Sequence, residues 1–191
     1  MKWLEEEINK RGKILNGDIL KVNSFLNHQL DPELLDKMTL LWYDHFNKKG
    51  ITKIVTIEAS GIALATLAAY RFACPAVYAK KGKSSNQEES YTTKIHSYTK
   101  DEDVSISIEK AYLTKEDRVL ILDDFLATGS AIEGLIDLCN QAGSTVVGIG
   151  IAIEKGYQHG GDVLREKGYD VDSLEIIESM DPVTNTIKYR K

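Results

Sequence analysis

The stretch Val119–Ala131, VLILDDFLATGSA, decides how this chain is read. Four apolar residues run into two adjacent aspartates, Asp123 and Asp124, and a short Thr-Gly-Ser turn follows. An uninterrupted apolar run marks a strand covered on both faces, as in a parallel sheet. The small residues open a second segment, SAIEGLIDLCNQAG, which carries apolar residues at helical spacing and closes on Gly143. In open parallel sheets ligands bind beyond the carboxyl ends of the strands. Acids at such an end, close to solvent, accept hydrogen bonds from the hydroxyls of a sugar, and a helix N-terminus with small residues before it offers free N–H groups to a phosphate. Successive strand side chains point to opposite faces, so the two acids need not act as a catalytic dyad. Diol acceptors followed directly by a phosphate cradle describe a site for a phosphorylated pentose. The stretch is not a Walker motif, because no glycine-rich run ends in Lys-Ser or Lys-Thr.

The flanking segments repeat the strand-to-helix rhythm. KIVTIE (Lys53–Glu58) predicts a strand, GIALATLAAYRF a helix, AVYAK a strand, RVLILDD a strand ending at the acids, TVVGIGIAIEK a strand, and GGDVLREKGY a short helix. Strands alternating with helices imply an α/β fold, a mostly parallel sheet flanked by helices. Upstream, WLEEEINKR has apolar residues at helical spacing, and Asp31-Pro32 is a helix start, an N-cap acid before a proline, for a helix that runs to about Lys49 and stops at Gly50. The polar run Lys80–Tyr91, KKGKSSNQEESY, breaks the rhythm, and TTKIHSYT and VSISIEKAYL follow as hairpin strands. A long polar loop inside an α/β domain is either functional or disordered.

The chain has 191 residues, enough for one domain with a sizeable core. Its net charge of -5 argues against nucleic-acid binding through a basic face. The start, MKWLEEEINKRGK, is too charged for a signal peptide, and the longest apolar stretch is interrupted by Arg71 and Pro75, so no membrane span is expected and the cytoplasm is the expected compartment. Cys74 and Cys139 lack metal-ligand spacing and are expected as buried reduced thiols. His28, His45, His96 and His159 show no metal spacing either.

The thirteen residues Val119–Ala131 resemble the phosphoribosyl pyrophosphate motif of type I phosphoribosyltransferases. IVTIEASGIALA is similar to that family's pyrophosphate loop, and YAKKGK to the segment of its purine enzymes whose basic residue faces pyrophosphate. LKVNSFLNHQLDP and IAIEKGY are similar, more narrowly, to the bacterial members that act on xanthine. The resemblance covers nearly the whole chain. It implies a single domain with an N-terminal hood (residues 1–50), a core (51–160) that includes a mobile loop at about 81–91, and a C-terminal part (161–191) that contributes to the hood.

The resemblance also implies roles. Asp123 and Asp124 hold the ribose hydroxyls, and Ala127, Thr128, Gly129, Ser130 and Ala131 hold the 5′-phosphate of 5-phosphoribosyl 1-pyrophosphate (PRPP). Ala59, Ser60 and Gly61, with Lys80 or Lys81, face pyrophosphate. Leu20, Asn27 and Lys155 contact the purine. Phe125 stacks on the purine or packs in the core. Mg²⁺ is held mainly through PRPP, with few direct protein ligands, and the chain forms a homodimer. The reaction implied is purine salvage, xanthine with PRPP giving xanthosine 5′-monophosphate and pyrophosphate. The alternatives are an adenine or guanine/hypoxanthine enzyme, and a regulator that keeps the site without the reaction. Hypoxanthine-guanine members carry an acid where this chain has Ala127, so the acceptor of the purine proton is left unassigned. Adenine members have alanine there, so Ala127 does not choose between adenine and xanthine.

Overall fold

The structure, a computed structural model, describes residues 2–15, 19–82, 87–97 and 102–191. The helix α1 (Lys2–Arg11), a two-stranded ribbon of β1 (Lys13–Leu15) and β2 (Ile19–Lys21), and a π-helical turn at Asn23–Asn27 precede α2 (Pro32–Phe46). Asp31 caps α2 by accepting the Leu34 N–H, with Pro32 at the first helical position. Then follow β3 (Lys53–Ile57), α3 (Gly61–Phe72), β4 (Ala76–Lys81), the hairpin of β5 (Ser90–Ser97) and β6 (Glu102–Glu109), β7 (Arg118–Leu126), α4 (Ser130–Ala142), β8 (Thr145–Lys155), α5 (Gly160–Glu166), β9 (Val171–Asp181) and β10 (Thr186–Tyr189).

The large sheet has the order β10-β9-β8-β7-β3-β4-β6-β5. Its centre, from β9 through β4, is parallel, and β10 and the β5–β6 hairpin add antiparallel edges. The central strands β3, β7 and β8 are largely apolar because both of their faces are covered. On β7, Leu120 and Leu122 face a core built with α1, α2 and α3, including Leu4, Met38, Trp42 and Leu64. Val119 and Ile121 face the opposite core, built with Leu135, Leu138 and Cys139 of α4. The period of two thus feeds two cores from one strand. Burial pushes the Cys139 thiol up to about 11. Neither cysteine is paired.

The chain leaves β3 toward β4 on one side and returns to β7 on the other, so β3 and β7 are neighbours separated by a crossover. That reversal opens a crevice at their carboxyl ends, where a doubly wound sheet receives its ligand.

Of the polar run 80–91, Lys80 and Lys81 end β4, and Ser90 and Tyr91 begin β5. Residues 83–86, the middle of the loop expected to be mobile, lie outside the described residues. No helix among the described residues is long and apolar enough to cross a membrane.

Candidate active site

The acids do not stand at a strand end near solvent. Strand β7 continues past them, pairing Phe125 with Ile153 and Leu126 with Glu154 of β8. Asp123 is 4% and Asp124 6% exposed. The expectation of a solvated pair is corrected because segments far away in sequence close over it. The Ser60 hydroxyl, just before α3, donates to Asp124 Oδ1 at 2.8 Å. The Asn27 amide, at the end of the N-terminal π-helical turn, donates to Asp124 Oδ2 at 2.9 Å. Asp123 Oδ1 accepts the Asp124 N–H at 2.9 Å. Burial, reinforced by the charge of Asp124, pushes the Asp123 carboxyl well above the usual range, and Lys81 acts weakly the other way. A cationic sugar beside the pair would also favour the ionised form.

The acids form one wall of a cavity of about 560 Å³. Ala127 to Ala131 form the facing loop and the start of α4. Gly129 has φ +96°, which a side chain at this position would strain, and its carbonyl accepts the Glu133 N–H at 2.8 Å to start the helix. Behind the loop, Gly160 at the start of α5 donates its N–H to Ala127 O at 3.2 Å. A Cβ on Gly160 would come 2.3 Å from Ala127 O and 2.6 Å from Gly129 N. The loop therefore rests on the backbone of α5.

Other expected site residues take distinct places. Ser60 lines the cavity, while Ala59 and Gly61 flank it without forming its wall. Gly61 opens α3 so close to Asp123 that a Cβ there would be 3.2 Å from Oδ1. Lys81 lines the cavity and also borders a second hollow of about 360 Å³, which Lys80 lines without reaching the first. Of the two lysines, Lys81 is the one that reaches the cavity beside the acids. Phe125 lines the cavity and also packs against the core on the α2–α3 side. Leu20 is buried in that core, and Lys155 ends β8 half-buried; neither forms cavity wall. Asn27 is also off the wall, one hydrogen bond behind Asp124.

Sequence reasoning missed the roof. Ile95 and His96 of β5 and Glu102 and Val104 of β6 complete the cavity. The His96 N–H donates to Ser130 Oγ at 2.9 Å and ties the hairpin to the start of α4. Nothing local marks these residues, because their role comes from where the hairpin folds. Glu58 was within the quoted loop, and its Oε1 accepts the Lys81 N–H at 2.6 Å, holding the end of β4 beside the cavity.

The support under α5 contains a buried charge. Glu154 is 0% exposed and is held by both terminal nitrogens of Arg165, at 3.1 and 2.7 Å, and by the Ser173 hydroxyl. Arg165→Met strands that carboxylate. Breaking a fully buried pair costs ~3–5 kcal/mol, and because Arg165 is itself 31% exposed we expect about 2 kcal/mol, a fall of ~4–8 °C in Tm. Thermal unfolding checks it, and an unchanged Tm excludes the support.

A buried acid pair on β7, the 127–131 loop that opens α4, and Lys81 of β4 line one cavity. The model of the phosphoribosyl transferase domain matches residues 28–186, and the chain belongs to that family. Xanthine phosphoribosyltransferase of Bifidobacterium adolescentis is 54% identical over 192 residues, covering 100% of both chains. The enzyme of the same name from Ruminiclostridium cellulolyticum is 49% identical over 182 residues, covering 95% of this chain and 96% of that one. Among solved structures, adenine phosphoribosyltransferase from Rhodothermus marinus matches with a TM-score of 0.73 at 23% identity, covering 92% of this chain and 99% of that one. The Giardia lamblia enzyme complexed with 9-deazaadenine matches with a TM-score of 0.75 at 23% identity, covering 90% and 96%. These two structures share the fold.

Proposed function

We propose that this chain transfers the 5-phosphoribosyl group from PRPP to N9 of xanthine, giving xanthosine 5′-monophosphate and pyrophosphate, a purine-salvage reaction. The observation that carries the transfer is the buried Asp123–Asp124 pair facing the 127–131 backbone loop across one cavity. The choice of xanthine rests on full-length relatives at up to 54% identity.

In this reading the loop amides and Thr128 hold the 5′-phosphate, and the acids accept the ribose hydroxyls. The sugar gains positive charge in the transition state while the leaving pyrophosphate gains negative charge. The carboxylates favour the first and Lys81 the second. Mg²⁺, when bound with PRPP, would be held mainly by substrate oxygens and would supply charge neutralisation at pyrophosphate, with Lys81 as the protein cation beside it. For the base, xanthine presents two carbonyl oxygens and needs donors. Asn27 Nδ2 carries two hydrogens, of which Asp124 takes one, and Lys155 offers its ammonium. Phe125 stacks on the ring. We expect the chain to act in the cytoplasm and as a homodimer, as the family resemblance implies.

The test is a steady-state assay with PRPP, Mg²⁺ and each of xanthine, guanine, hypoxanthine and adenine. Xanthine should give the highest kcat/KM. A protein that binds PRPP but turns over no purine overturns the proposal. Lys155→Met should narrow the xanthine-over-hypoxanthine ratio by about tenfold, the worth of one donor to the C2 oxygen. An unchanged ratio moves the selectivity elsewhere.

A further inference from the structure

We propose that Asn27 is a positioning residue that acts through Asp124, so that the N-terminal segment sets the orientation of the acid at the ribose site. This rests on the reading of the cavity as a PRPP site, and it goes beyond Asn27 as a purine contact.

Asp124 is buried, yet each of its oxygens has one donor, and the two donors come from separate segments: Ser60, just before α3, on Oδ1 at 2.8 Å and Asn27, in the N-terminal turn, on Oδ2 at 2.9 Å. Anchored on both oxygens, the carboxylate cannot rotate without losing a charge-assisted hydrogen bond. An ionised carboxylate has about four acceptor positions, so ribose hydroxyls can still bind. Asn27 is itself presented from a firm turn. Phe25 and Leu26 before it are fully buried, the Phe25 carbonyl accepts the Asp31 N–H at 3.0 Å, and the Arg11 guanidinium donates to Ser24 O at 2.7 Å. Strand β7 and the N-terminal segment meet at this bond between residues 97 positions apart. An amide that orients the ribose acid on one side and meets the purine on the other couples the two substrates. By linkage each substrate then improves the site for the other to the same degree.

The discriminating measurement is PRPP affinity without purine, by calorimetry with Mg²⁺ present, on wild type, Asn27→Ala and Asn27→Asp. Loss of one hydrogen bond to a charged group should raise the PRPP Kd by about three- to tenfold in Asn27→Ala. The Asp variant keeps the shape but sets a carboxylate against Asp124, and should lose more. In turnover, kcat should fall in both, beyond any rise in KM for xanthine, and Asn27→Gln, which keeps the amide, should recover part of the loss. Unfolding midpoints close to wild type separate positioning from misfolding, and the isosteric Asp variant serves if Asn27→Ala does not fold. If purine-free PRPP affinity is unchanged in the folded variants and the loss lies only in KM for xanthine, the proposal is overturned and Asn27 is a purine contact alone. A wild-type protein that fails to bind PRPP overturns instead the functional reading beneath it.

Discussion

The double variant Asp123→Asn, Asp124→Asn should lose about a thousandfold in kcat while xanthine affinity changes far less. One positioned group facing transition-state charge is worth roughly 10²–10³ in rate, and here both carboxylates opposite the developing cation are neutralised. Because the pair is buried rather than solvated, the effect on the fold differs between the two. Burial already disfavours the charge on Asp123. A carboxyl whose folded-state pKa is raised binds more protons folded than unfolded above the ordinary carboxylate range, so its contribution to stability falls as pH rises from about 4 toward the raised value. Asp123→Asn removes that loss. It should be more stable than wild type at pH 7.5, read as a higher Tm, and the gain should shrink toward pH 4. Near-normal turnover in the double variant excludes the acids from the chemistry. A Tm difference that does not depend on pH excludes the burial argument.

Gly160→Ala should weaken PRPP binding by about 10- to 100-fold. The added Cβ would lie 2.3 Å from Ala127 O, 2.5 Å from Thr128 C and 2.6 Å from Gly129 N. All three are backbone atoms of the 127–131 loop, so no side chain can swing aside. Overpacking of this kind costs ~1–3 kcal/mol, and the cost falls on the loop that, in the proposed reading, presents amides to the 5′-phosphate. Helix propensity alone predicts the reverse, since alanine in a helix is favoured over glycine by ~1 kcal/mol. PRPP affinity and thermal unfolding on the same variant decide between them. Wild-type affinity with a raised Tm excludes α5 as the support of the loop.

What was legible in the sequence was local. The alternation of apolar strands with helices and the Asp31-Pro32 start are written in neighbouring residues. So is the helix at Ser130 that ends before the left-handed Gly143. The 119–131 stretch likewise marked its own loop, because a turn of small residues before a helix exposes amides wherever it is placed. Even there the strand end was drawn two residues short. Ladder pairing with β8 carries β7 to Leu126, and that pairing is a property of two strands.

The chain's residues by themselves determined the α/β order of elements and the acids-then-cradle grammar of the site, since both follow from side-chain period and backbone chemistry over a few residues. Only the tertiary structure decided that Asp123 and Asp124 are buried, and that Lys81 rather than Lys80 lines the cavity. It also decided that the β5–β6 hairpin completes the cavity, that Gly160 backs the 127–131 loop, and that Asn27 holds Asp124. Burial and hydrogen-bond partnership depend on which distant segment arrives at a point in space, and a period of two or 3.6 residues carries no information about that arrival.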